Sequence, residues 1–118
     1  MSTNPARPPF GAALCRLDDL PSPGSKGFVF RQGDALFAGF VLREGNGVKG
    51  FVDHCPHAGW PMASGPDRYL TRDKKFILCA GHGALFQKTD GLCVSGPCFG
   101  EHLEDWPVEV VRGVIRTG

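Results

Sequence analysis

The sequence predicts an all-β domain, and three observations carry that reading. Seventeen glycines and ten prolines in 118 residues interrupt the chain so often that apolar side chains never recur at i, i+3, i+4 and i+7 over a helical length. Short runs rich in Val, Phe, Ile and Leu lie between the interruptions, and such residues pack well on a pleated surface. Two interruptions have hairpin chemistry, Gly45-Asn46-Gly47 and Asp90-Gly91, because Gly, Asn and Asp accept the positive φ of tight turns.

Taken in order, residues 1–10 hold three prolines and little to bury, which predicts a flexible N-terminal arm ahead of a single domain over 11–118. Strands are expected in "AALCRL" from Ala12, "GFVFRQ" from Gly27, "LFAGFVLRE" from Leu36 and "VKGFVDH" from Val48, then in "KFILCA" from Lys75, "GALFQK" from Gly83, "WPVEVV" from Trp106 and "GVIRTG" from Gly113. "VLREGNGVKGFV" and "FQKTDGLCV" each read as strand, turn, strand, and a third turn is expected at "TRDKK", between Tyr69-Leu70 and Phe76-Ile77-Leu78.

Thirteen Lys and Arg stand against 12 Asp and Glu, a formal charge of +1, so no strong field directs the chain to nucleic acid or an anionic membrane. The start lacks a basic region followed by an apolar one, no stretch approaches the ~18 apolar residues of a membrane span, and the expected location is the cytoplasm. Five cysteines, at 15, 55, 79, 93 and 98, are an odd set for a reducing compartment, which favours metal binding over a disulfide scaffold.

Cys55 and His57 stand in "HCPHAGW", Cys79 and His82 in "LCAGHGALF". Two thiolates and two imidazoles suit a soft or borderline metal. A structural zinc would take all four in one tetrahedron, whereas a binuclear iron–sulfur cluster would divide them, cysteines on one iron and histidines on the other. Zinc sites usually space like ligands together, but here both pairs are mixed, C-x-H and then C-x-x-H. Each pair ends a strand-like run, and Gly59, Gly81 and Gly83 would let the backbone approach inorganic sulfide closely.

"CPHAGW" with "CAGHGALF", followed by "GLCVSGPC" and "WPVEVVRGVI", resembles a Rieske-type 2Fe–2S ferredoxin from about Gly27 to the end. The resemblance implies three antiparallel β-sheets, a two-loop cluster-binding subdomain and a covering loop at Ser95-Gly96-Pro97. It implies one 2Fe–2S cluster held by Cys55, His57, Cys79 and His82, and a one-electron carrier between an NAD(P)H-dependent flavin reductase and a terminal oxygenase. Respiratory members carry a further cysteine in each loop, where this chain has Trp60 and Ala80. High-potential members carry a serine after the second histidine and a tyrosine a few residues on, where this chain has Gly83, Ala84 and Phe86. The 21 residues from 58 to 78 make a longer interval than is usual in small Rieske ferredoxins.

The remaining residues get plainer readings. Cys15, Cys93 and Cys98 are expected to be buried packing thiols, the last two with spare ligands or a redox pair as the alternatives. His54 and His102 are expected at strand ends or the surface, and Trp60 and Phe99 either shield the cluster or complete the core. Arg68, Arg72, Lys74 and Lys75 form a solvated hairpin tip or a basic docking patch. No second His and carboxylate set or nucleotide-binding glycine fingerprint occurs, so the chain is read as an electron carrier and not an enzyme. The alternatives are a component of a larger oxidoreductase complex, a zinc-binding interaction module and a redox sensor.

Overall fold

A computed structural model describes residues 4–54, 62–63, 67–80 and 83–118. The strands are β1 (Ala13–Arg16), β2 (Gly24–Gln32), β3 (Ala35–Glu44), β4 (Gly47–Val52), β5 (Phe76–Cys79), β6 (Ala84–Gln87), β7 (Cys93–Ser95), β8 (Val108–Val111) and β9 (Val114–Thr117). Among the described residues the one helical element is a 3-10 turn at Leu17–Asp19. The strands form three antiparallel three-stranded sheets, ordered β2-β3-β4, β1-β9-β8 and β5-β6-β7.

The central strand β3 explains how the sheets stack. Its side chains alternate between the two faces of the sheet. Phe40 and Leu42 join a core with Phe51, Met62, Tyr69, Ile77, Phe86 and Leu103. Phe37 and Val41, of the opposite parity, join Leu20, Trp106 and Ile115. A strand buried on both faces must be apolar nearly throughout, which is why "LFAGFVL" reads as a continuous run. Trp106 fills the second core, with edge-on contacts to Phe28, Phe30 and Phe37 at centroid separations of 6.1, 6.4 and 5.2 Å, the arrangement that ring quadrupoles favour.

The expected turns occur. Glu44 pairs with Gly47 around Gly45-Asn46, and Phe86 pairs with Cys93 around the turn containing Asp90-Gly91. At the third, Leu70 and Ile77 form an isolated bridge and the Thr71 N–H donates to Phe76 O at 2.8 Å, so the hairpin exists but its first arm is too short to be a strand. The strand Cys93–Ser95 lies inside a segment that the sequence marks only as the far side of a turn.

The described part of the N-terminal segment lies against the body, contrary to the loose arm expected there. Asn4 donates to Leu36 O at 2.9 Å, the Thr117 hydroxyl donates to Pro9 O at 2.7 Å, and Ala6 is buried in the core around Trp106. Arg7 bonds Glu104 at 3.0 Å and lies over the Phe37 ring. These bonds run mostly to backbone carbonyls, so a polar segment can dock without apolar bulk of its own.

Candidate metal centre

The described flanks of the two segments expected to carry metal ligands meet at one joint. At the end of the β5–β6 hairpin Cys79 pairs with Ala84, and the Gly83 N–H donates to Cys79 O at 2.9 Å. Cys79 is fully buried. The Ala80 N–H donates to Met62 O at 2.9 Å, which ties the base of the second segment to the far end of the first. The first segment is closed in turn by Asp53, whose Oδ1 accepts the Met62 N–H at 2.9 Å. Asp53, Met62, Cys79, Ala80 and Ala84 thus form a rigid footing. Cys55, His57 and His82 lie outside the described residues.

Asp53 is a carboxylate buried in an apolar core, 3% exposed, and such a group needs partners. Its backbone N–H donates to Ala38 O at 2.9 Å, and its Oδ2 accepts the Tyr69 hydroxyl at 3.1 Å. Tyr69 stacks on Phe40 with centroids 4.3 Å apart and planes 9° apart. Burial, then the Asp53 charge, push the Tyr69 hydroxyl well above the usual phenol range. The Tyr69 ring also covers Gly27, where any Cβ would strike the Tyr69 hydroxyl. The edge strand β2 anchors the same segment: Gly27 N–H donates to Asp67 Oδ1 at 2.8 Å and the Ser25 hydroxyl to Asp67 O at 2.6 Å.

The loop expected to act as a cover closes on the same end. Ser95 pairs with Leu85, and Gly96, at φ +104, lies so close to Ala84 that an added Cβ would stand 2.8 Å from its Cα. Only glycine fits this position, for conformation and for space. Beneath the loop Cys93 and Cys98 are both 1% exposed and belong to the buried cluster that contains Cys79.

The other predicted residues separate. His54 and His102 are exposed, as the surface reading expects. Phe99 is 74% exposed, so it does not complete the core; Trp60 lies outside the described residues. Cys15 is half-buried against the Trp106 core, and burial, followed by the Asp19 charge, raises its thiol pKa. Arg68, Arg72, Lys74 and Lys75 are exposed, the first three lining one cleft with Asp67. Within that turn Asp73 accepts the Thr71 hydroxyl at 2.6 Å and the Lys75 N–H at 3.0 Å, which hold its carboxyl below the usual range.

Asp53 and Tyr69 are the residues that sequence reasoning passed over. Their signal is faint but physical: an aspartate closing the apolar run "GFVD" requires a buried partner or an exposed end.

Among the described residues no three His, Cys, Asp or Glu side chains gather into a metal-binding group. The donor chemistry at the footing nonetheless fits an iron–sulfur group. Cys79 places sulfur in an apolar setting at a strand end, the ligand atom that iron–sulfur clusters take.

Comparison with known proteins agrees. A family model described as the Rieske [2Fe-2S] domain matches residues 12–111. No curated protein matches the chain. Among solved structures, the ferredoxin of carbazole 1,9a-dioxygenase from Nocardioides aromaticivorans is 20% identical, with a TM-score of 0.73 over 93% of this chain and 98% of that one. A complex of reduced oxygenase and oxidized ferredoxin in carbazole 1,9a-dioxygenase gives a match 27% identical, with a TM-score of 0.70 over 92% and 93% of the two chains. A Sphingomonas yanoikuyae ferredoxin is 20% identical, with a TM-score of 0.67 over 91% and 96%. With three antiparallel sheets, a covered two-segment footing and a family model spanning nearly the whole chain, this protein belongs to the Rieske family, whose cofactor is a 2Fe–2S cluster.

Proposed function

We propose that this protein is a one-electron carrier that accepts an electron from an NAD(P)H-dependent flavin reductase and passes it to a terminal oxygenase. The observation that carries the reading is the footing itself. Cys79 stands fully buried beside the Met62–Ala80 hydrogen bond, at the described base of the C-x-x-H segment, in a chain of the Rieske family. The match to a ferredoxin–oxygenase complex supports an oxygenase as the partner. Residues 11–118 act as one unit in this reading, and no described helix is long and apolar enough to cross a membrane. We place the carrier in the cytoplasm.

Cys55 and Cys79 would hold one iron through thiolates, and His57 and His82 would hold the other through imidazole. A bound cluster would supply a one-electron couple. The chain's own residues do the rest. Asp53 and Met62 fix the first segment, and the Cys79–Ala84 pair fixes the second. Gly96, packed on Ala84, would help to shield one side of the bound group.

The test uses the purified protein, reduced with dithionite and freed of excess reductant. It is mixed anaerobically with the oxidised terminal oxygenase of a carbazole dioxygenase, and cluster absorbance is followed. Reoxidation with matching reduction of the oxygenase supports the proposal. A colourless protein, or a reduced one that transfers no electron, refutes it.

A further inference from the structure

The thiols of Cys93 and Cys98 are in contact: the Cys98 Sγ–H donates to Cys93 Sγ across 3.0 Å, and the Cys93 Sγ–H donates to Ser95 O at 3.3 Å. The backbone holds them there. Cys93 N–H donates to Glu101 O at 2.8 Å and Gly100 N–H to Cys93 O at 3.0 Å, closing residues 93–101 at the base. Glu101 N–H donates to Cys98 O at 2.9 Å and Phe99 N–H to Gly96 O at 3.2 Å. Gly96 and Gly100, at φ +104 and +89, turn the chain so that residues five apart face each other. Both thiols are buried, yet Ser95, Gly96, Pro97, Phe99 and Gly100 around them are all exposed. A single loop separates the sulfurs from solvent, which a small oxidant can cross when the loop opens.

We propose that Cys93 and Cys98 form a reversible disulfide, made by hydrogen peroxide, that locks the loop between them onto the Cys79–Ala84 end of the β5–β6 hairpin. One thiolate attacks a peroxide oxygen; the O–O bond breaks, hydroxide leaves and takes up a proton as water, and a sulfenic acid remains. The second sulfur then attacks the first, forming the S–S bond and expelling a second water. Two thiols and one hydrogen peroxide become one disulfide and two waters, each sulfur giving up one electron. A thiol donor restores the dithiol by exchange.

The pair is distinct from the proposed ligands Cys55 and Cys79, and the inference goes beyond the electron-carrier reading. Because Gly96 packs on Ala84, a cross-link between residues 93 and 98 restricts the motion by which the loop lifts from the footing. The reduced and oxidised forms then differ in how far solvent reaches the hairpin end, with the ligands unchanged.

The chain makes the test direct. Trypsin cutting after Lys88 and Arg112 yields a fragment, Thr89–Arg112, that holds Cys93 and Cys98 and no other cysteine. The holoprotein is exposed to hydrogen peroxide, then denatured in excess N-ethylmaleimide, digested without reductant and weighed, with cluster absorbance recorded before denaturation. The proposal expects this fragment to be two hydrogens lighter and unlabelled. It expects two labels without peroxide, and two again when dithiothreitol follows peroxide. In the Cys98→Ser variant the lighter fragment is lost. A doubly labelled fragment after peroxide overturns the proposal, as does sulfinic or sulfonic acid at Cys93 and Cys98 in place of the cross-link, or a cross-link from either to Cys55 or Cys79. Absence of cluster absorbance refutes the electron-carrier reading, whatever the fragment shows.

Discussion

The Tyr69 hydroxyl donates to Asp53 Oδ2 at 3.1 Å inside the core, while the other oxygen of the same carboxylate accepts the Met62 N–H at 2.9 Å. This pairing joins the first residue after β4, the end of the first ligand segment and the segment that returns toward β5. A buried carboxylate needs such partners, and the value of these is geometric: they tie the segment ends to one another.

Removing one partner tests this. In Tyr69→Phe the ring keeps its place against Phe40, but Asp53 loses a buried donor. The expected loss is about 1–3 kcal/mol, measured by urea unfolding, with the cluster absorbance retained. A variant as stable as the wild type would show that the bond contributes nothing.

The same residue predicts a pH dependence. Tyr69 is the one tyrosine in the chain, and its pKa is raised in the folded protein by burial and by Asp53. Its contribution to stability is therefore fully present below the unfolded value, about 10. It declines as pH rises above that value, because the unfolded chain then gives up a proton that the native one keeps, at up to about 1.4 kcal/mol per pH unit. Unfolding curves from pH 8 to 11 should show this decline in the wild type relative to Tyr69→Phe. Tyrosinate absorbance should rise on unfolding, not before it.

Trp106 organises the second core, 1% exposed and edge-on to three phenylalanines. Trp106→Ala should cost about 3–5 kcal/mol and lower the thermal midpoint sharply. This core is separate from the one that holds Cys79, so the folded fraction should keep its cluster spectrum. Loss of iron from protein that is still folded would show that the two cores are not independent.

How much of this was legible follows from what each feature demands of residue type. The paired Cys and His spacing was legible because metal chemistry admits few ligands. The strands were legible because burial needs apolar runs, as in "LFAGFVLRE". The β8–β9 turn was not marked: it carries Arg112 at φ +52 beside Gly113, and arginine has no preference for that region, so tertiary pairing imposes it. The docking of residues 4–9 was missed because backbone carbonyls at Leu36 and Pro9 accept its bonds, and a carbonyl leaves no mark on the sequence. The contact of Cys93 with Cys98 depends on loop curvature, which two glycines permit but do not dictate.

Cys79→Ser tests the proposed ligand described at the footing. Because the cluster binds only the folded footing, its binding free energy adds to stability. The variant should be colourless and should unfold at lower denaturant than the wild type. A normal red cluster, by absorption and EPR, would contradict the ligand assignment.

A Rieske cluster that feeds an oxygenase should have a low reduction potential. Rieske potentials span roughly −150 to +300 mV, raised by hydrogen bonds to the sulfurs. Beyond the second histidine this chain offers Gly83, Ala84 and Phe86, which carry no hydroxyl. Ala84 and Phe86 are moreover fully buried in the core. Protein-film voltammetry at neutral pH should give a one-electron wave near the low end, on the order of −150 mV. No wave, or a midpoint above about +100 mV, would contradict the account.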